Sequence, residues 1–197
     1  VNAATDQRGQ VGVETLIVFI AMILVAAIAA TMMITTVSSL QSTAETSSQD
    51  SQDQVTNQLL ILSATGEVDT SAAEPRIDRV RLSVMPAPGA GEIDLSGASI
   101  EYVGSDGVRN YGFEPADGDS FEVIASSDPD GTAPVLTSRG DRYTIAFDLD
   151  AGGRDTTLGT GESATLRIVG ASGAETTWIV TAPHSLDRAD DGDVVEL

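Results

Sequence analysis

The chain has 197 residues, 30 acidic and 10 basic, and all ten bases are arginine, for a formal net charge of −20. A sequence pI near 4.1 excludes an electrostatic grip on nucleic acid, which needs a cationic face. The lack of cysteine excludes disulfides, zinc–thiolate sites and a thiol nucleophile. So charged a chain nonetheless has a mean hydropathy of +0.04, which means that a concentrated apolar segment must offset the acids.

That segment is near the N-terminus. From Leu16 to Ile34 the chain reads LIVFIAMILVAAIAATMMI without a charge, enough for a helix of roughly 28 Å, about one hydrocarbon core. Apolar residues fall on every face, unlike a surface helix of a soluble domain. Ala21, Ala26, Ala27, Ala29 and Ala30 supply small residues that let helices approach closely. Hydropathy alone reads this as a single-span anchor.

The flanks are more specific. A secretory signal is cut after its apolar stretch, near small residues. Here the good processing signal, Arg8-Gly9 followed by Gln10, comes before it. Cutting after Gly9 would retain the apolar helix and make Glu14 the fifth residue of the mature chain. A carboxylate at the edge of an apolar run is costly unless paired, and the free amine of a neighbouring subunit's N-terminus would suit it.

Arg8-Gly9, the glutamate at position 14 and the run QVGVETLIVFIAMILVAAIAA together resemble the class III signal and helix start of archaeal flagellins (archaellins), within the wider type IV pilin-like group. The resemblance is strongest over residues 8–30. It continues more weakly through LLILSATGEVD and the C-terminal PHSLDRADDGDVVEL, and the acidic, lysine-free composition resembles that of haloarchaeal members. One departure is that Asn2, Asn57 and Asn110 lack the x-Ser/Thr of a glycosylation sequon, although decorated asparagines are common in the family.

Beyond Ile34, Val37, Leu40, Ala44, Ser48, Val55, Leu59 and Leu62 recur at three-, four- or seven-residue steps, a thin amphipathic stripe. No proline or glycine interrupts before Gly66. The pattern predicts one helix over 11–64, apolar over 11–34 and amphipathic over 35–64, within an assembly segment of residues 10–65. Its Ser/Thr/Gln-rich half is a mediocre helix former and would need packing by neighbours. Residues 66–76 read as a linker, with Pro75 blocking helix.

From residue 77 the period switches to two. Runs at Val80–Val84, Ile93–Val103, Val108–Phe113, Phe121–Ala125, Tyr143–Leu149, Leu166–Ile168 and Thr176–Thr181, with a short edge at Val194-Val195, are separated by turns such as SDG, DPDG and GTG. Seven or eight short strands in 77–197 predict an antiparallel immunoglobulin-like β-sandwich. The expected fold class is thus α+β, a long hydrophobic N-terminal helix followed by a sandwich head. Residues 10–65 carry four acids and no base, whereas 66–197 carry 25 acids and nine arginines, a net of −16.

No catalytic, cofactor or metal residues are expected. The acids at Asp128–Gly131, at Asp148 and Asp150, and over Asp187–Asp193 lack full calcium-loop spacing and read as solvated turns. Gly159–Ala164 matches a dinucleotide fingerprint by letter but leads into a strand, not a helix. His184 has no sequence neighbour that would make a hydrolytic triad, and Trp178 reads as a core aromatic. The chain is not expected to be an enzyme.

The resemblance implies a subunit of the archaellum, polymerising through its N-terminal helix into an extracellular helical filament for swimming. Arg8, Gly9 and Gln10 would form the processing site, and Glu14, Leu16, Ile17, Phe19, Ile20, Ile23 and Leu24 the assembly surface. Implied partners are further copies, with or without other archaellins, a prepilin-peptidase-like protease, a membrane export platform, and the cell membrane before assembly. Alternative readings are an adhesive type IV pilus subunit or a surface-anchored β-sandwich binding protein.

Overall fold

The computed structural model describes residues 3–71, 74–113, 119–151, 156–186 and 189–197, with side chains from residue 12 onward. It divides into two units, Val1–Gln49 and Asp50–Leu197, each described by itself.

The first unit is helical throughout its described residues, the bulk of α1 (Ala3–Thr56, 54 residues). With no helix breaker from Val13 to Thr56, the backbone can continue its i→i−4 ladder through the polar half. Threonine hydroxyls in that ladder turn back onto their own helix. Thr31, Thr35, Thr36, Thr43, Thr46 and Thr56 each donate to the carbonyl four residues earlier, at 2.9–3.0 Å. Such bonds satisfy the hydroxyl without water.

The helix ends eight residues earlier than the sequence pattern predicts, at Thr56 rather than Ala64. Leu59–Asp69 is a strand, β1, so the expected helix end and part of the expected 66–76 linker belong to the β-domain. The core-facing residues of β1 are Leu59, Ile61, Ala64, Gly66 and Val68. A bulge between Ile61 and Ser63 stretches one step of the two-residue alternation to three. The helix-like spacing of Leu59 and Leu62 joins a core-facing residue to the outward-facing bulge residue. Gly66, a helix stop by sequence pattern, instead permits close packing inside a strand: a Cβ there would lie 2.6 Å from Ile77 Cγ2.

After β1 follow β2 (Arg76–Pro86), β3 (Ile93–Asp94), β4 (Ser99–Gly104), β5 (Gly107–Phe113) and β6 (Ser120–Ser127). Then come β7 (Val135–Leu136), β8 (Arg142–Asp148), β9 (Leu158–Gly159), β10 (Ser163–Val169), β11 (Glu175–Thr181) and β12 (Val194–Glu196). The expected Ile93–Val103 run is split by a turn into β3 and β4, and the two-residue strands β7 and β9 are too short to leave a periodic signal.

One sheet runs β11-β10-β4-β5-β6-β8-β2-β1-β12, with β9 beside β2, and β3 pairs with β7 separately. All its pairings are antiparallel except β5 with β6, which are parallel over two residue pairs. That narrow joint divides the sheet into a half of β11, β10, β4 and β5 and a half of β6, β8, β2, β1 and β12. Their inner faces share one core. Ile100, Tyr102, Tyr111, Leu166 and Ile168 come from the first half, and Ile77, Val80, Leu82, Ile145 and Phe147 from the second. Tyr111 meets Phe147 across this core with ring centroids 4.8 Å apart. A long apolar helix followed by a mostly antiparallel β-domain is therefore the architecture.

The last turns of α1 belong to the second unit. Gln54 Nε2 donates to Gly173 O at 3.3 Å, and Asn57 Oδ1 accepts the Gly91 N–H at 2.9 Å. These bonds, with Asn57 N–H donating to Asp53 O at 2.9 Å, fix where the helix stops.

Candidate assembly surface

In the uncharged stretch of α1 nothing is buried. Leu16, Ile17, Phe19, Ile20, Ile23 and Leu24 are all more than half exposed, from 51% at Ile23 to 63% at Phe19. An 18-residue window within Gly12–Thr56 reaches a mean hydropathy of 2.9, with none of it buried among the described residues. Leaving a leucine-sized side chain in water forfeits about 1.5–3 kcal/mol relative to burial. A continuous surface of this kind requires an apolar environment supplied by something else.

Its chemistry suits either lipid or other helices. Ala26 and Ala30, one turn apart, give a small-xxx-small step at which another helix can approach closely. Thr15 Oγ1 donates to Gly12 O at 2.9 Å; with the back-bonded threonines further along, it adds no unsatisfied hydroxyl to such a contact. Glu14 is also exposed, one residue before Thr15 and two before the uncharged run. Of the expected site residues, the structure thus places Glu14, Leu16, Ile17, Phe19, Ile20, Ile23 and Leu24 on one continuous exposed helix. Arg8, Gly9 and Gln10 lie in the backbone of α1, with side chains outside those described.

Within the β-domain two charged residues, Arg109 and Asp141, are buried and bound by the chain itself. Arg109, 4% exposed, donates to Leu149 O, to Thr156 Oγ1 at 3.0 Å, to Ala151 O at 2.7 Å and to the Asp119 carboxylate. It therefore ties the segment after β8 to the segment before β6. Its guanidinium also lies 5.2 Å from the Tyr111 ring centroid, and burial pushes the Tyr111 hydroxyl up to about 12. Asp141, fully buried, accepts from Thr137 N–H at 2.8 Å, Ser138 N–H at 2.9 Å and Ser138 Oγ at 2.8 Å. Burial alone would raise its carboxyl, but the bonds from Ser138 and Thr137 outweigh it and hold the group below the usual carboxylate range. Neither Arg109 nor Asp141 stands out in the sequence. Arg109 sits at a core-facing position of an alternating strand, the one available clue.

Several acids of the candidate calcium loops are engaged by the chain itself. Asp128 accepts the N–H groups of Gly131, Thr132 and Ala133 at 2.9–3.1 Å, Asp148 pairs with Arg79, and Asp193 caps Asp190 N–H at 2.8 Å. Asp187 lies outside the described residues. Among the described residues no three of His, Asp and Glu form a group that could hold a metal ion. The Gly159–Ala164 segment runs from the end of β9 through a turn into the start of β10, with Gly161 at φ +74°. His184 is exposed. Trp178 is not a core residue as expected: it is 37% exposed, because its strand β11 is at the sheet edge and only β10 flanks it.

Alongside this geometry, comparison with known proteins is decisive. The family model of archaeal-type flagellins matches residues 9–179. The chain belongs to the archaeal-type flagellins. Flagellin A2 of Haloferax volcanii is 38% identical, over 100% of this chain and 99% of its own. Flagellin B2 of Halobacterium salinarum is 38% identical over 92% of each chain. Among solved structures, the archaeal flagellum of Methanospirillum hungatei has the same fold, with a TM-score of 0.67 at 17% identity over 93% of this chain and 99% of that one. The family match begins at Gly9, so it includes Glu14 and the whole uncharged run.

Proposed function

We propose that this flagellin is a structural subunit of an archaellum filament and assembles through α1. The observation that carries this reading is the uncovered apolar surface from Leu16 to Ile34 in a chain that shares its family from Gly9 onward. In the precursor the helix spans the cell membrane. A prepilin-peptidase-like protease removes residues 1–9, and an export platform moves the helix into a bundle of parallel copies outside the cell. Lipid and helix surfaces are about equally apolar, so the transfer has little hydrophobic drive. Close packing at Ala26 and Ala30, and pairing of Glu14 with the new amine of Gln10 on a neighbour, supply specificity. The role is mechanical, with no reaction performed by the subunit.

Electron microscopy of sheared surface filaments, with the N-terminal mass of their subunit, tests this reading. Filaments whose subunit begins at Gln10 are expected in the wild type. In Gly9→Val the uncut chain should stay in the membrane; a mature-mass subunit in that variant would count against the cleavage site. Glu14→Ala should be cut normally and lose filament yield, and wild-type yield would remove the pairing role of Glu14.

A further inference from the structure

The two outer faces of the β-domain carry matching uncharged stripes. On the first half, strand register lines up Ile179, Thr165, Val103 and Val108 across β11, β10, β4 and β5. On the second half it lines up Ser63, Ser83, Thr144 and Ile124 across β1, β2, β8 and β6, with the bulged Leu62 beside Ser63. Both stripes combine hydroxyls with exposed aliphatics: Ile179 is 64% exposed, Val108 58%, Leu62 45% and Ile124 45%. Some of the neighbouring charges are paired in place, and Glu122, two residues from Ile124 on β6, is exposed. Arg167 binds Glu101 beside the first stripe, and Arg81 binds Glu67 at 2.7 Å on the second face.

This placement limits what can bind there. Residues 66–197 carry 25 acids and nine arginines, net −16, so two copies repel wherever their acidic turns meet. A cationic partner would be drawn to those turns, not to the uncharged stripes. Another copy has the opposite requirement and can approach only where formal charge is missing or locally paired. The inner faces of both halves are committed to the core, so their outer faces point away from one another. Contact between one stripe and the other on the next copy is heterologous and non-closing, the symmetry of a helical polymer.

We infer that the Ile179–Thr165–Val103–Val108 stripe of one head packs against the Ser63–Ser83–Thr144–Ile124 stripe of a neighbouring copy. This contact rests on the filament reading above and adds the lateral interface between heads. Four strands about 14 Å across and seven residues long cover roughly 300–350 Å², under half of the roughly 800 Å² per partner of a stable independent interface. The stripe contact therefore supplements α1 and sets how neighbours lie, without holding copies together alone.

The chain has no cysteine, so introduced thiols are the sole sites for a thiol cross-linker. Full-length filaments carrying both Val103→Cys and Ile124→Cys should give a ladder of dimers, trimers and higher species with a short bis-maleimide. Each single variant should remain monomeric. Filaments of the double variant that give no ladder overturn the contact, and dimers from V103C alone overturn the pairing of unlike faces. As a second measurement, Val103→Glu and Ile124→Glu should each raise the sodium chloride concentration at which filaments dissociate. Thr160→Glu, the same charge change in an exposed turn, should not. Equal dissociation midpoints for all three variants overturn the proposal, with Trp178 fluorescence showing that the heads remain folded. A wild-type preparation without filaments overturns the filament reading itself and this contact with it.

Discussion

The helix and the head treat polar groups in opposite ways. Residues 10–65 carry four acids and no base, and threonine hydroxyls of α1 such as Thr31, Thr36 and Thr46 are satisfied within four residues of themselves. In the head, polar groups reach far along the chain: Arg79 to Asp148, Arg109 to Thr156, Arg167 to Glu101. The head completes its core from its own strands, whereas the apolar surface of α1 is exposed. A change in α1 should therefore show itself in assembly, and a change in the head should show itself in folding.

The largest expected effect is on the helix side. Ile23→Arg places a charge mid-way along the uncharged run, where insertion into a bilayer costs about 2.5–3.5 kcal/mol. Filaments should be lost, seen as their disappearance from sheared preparations by electron microscopy. The head should stay folded, which Trp178, the single tryptophan of the chain, can report by fluorescence in detergent. Loss of the Trp178 transition in this variant would break the separation between the two regions.

Next comes Arg109→Ala. It removes a buried cation that holds Leu149 O, Thr156 and Asp119, and breaking such a buried network costs about 3 kcal/mol. The Trp178 thermal transition should fall accordingly, while the proposed cut after Gly9 should proceed. An unchanged transition would mean that the two joined segments do not contribute to head stability.

A smaller effect sharpens the comparison through pH. Asp141 is held below its ordinary value of 3.8, so its ionised form is favoured in the folded head. Its stabilisation is complete above 3.8, and is lost as pH falls through the lower folded value. An acid titration of head unfolding, followed by Trp178, should show this loss in the wild type and a flatter profile in Asp141→Asn. Identical profiles would exclude Asp141 as the titrating group.

Parts of this contrast are legible in the amino-acid sequence alone. Nineteen uncharged residues leave no ambiguity in the 3.6-residue regime, and Arg8-Gly9 with Glu14 carries a family resemblance that the match over residues 9–179 confirms. β2 from Val80 onward and β10 alternate cleanly, because each has one face in the core and one in water. β1 mimics a helix for a local reason: a single bulged residue at Leu62 changes the parity of the alternation, and Gly66 has the same letter whether it ends a helix or lets Ile77 approach. Arg109 and Asp141 are not legible, since an arginine or aspartate in an acid-rich chain looks alike whether buried or solvated. Their roles depend on carbonyls and N–H groups brought together by loops.

By itself, the sequence determined that this flagellin has a helix needing an external apolar partner and an acid-rich β-domain. Hydropathy and net charge are sums over residues and need no geometry. Only the tertiary structure decided where α1 stops, which charges are neutralised in place, and which uncharged residues align across strands. Those properties depend on register, and register is fixed by packing between residues distant in the chain.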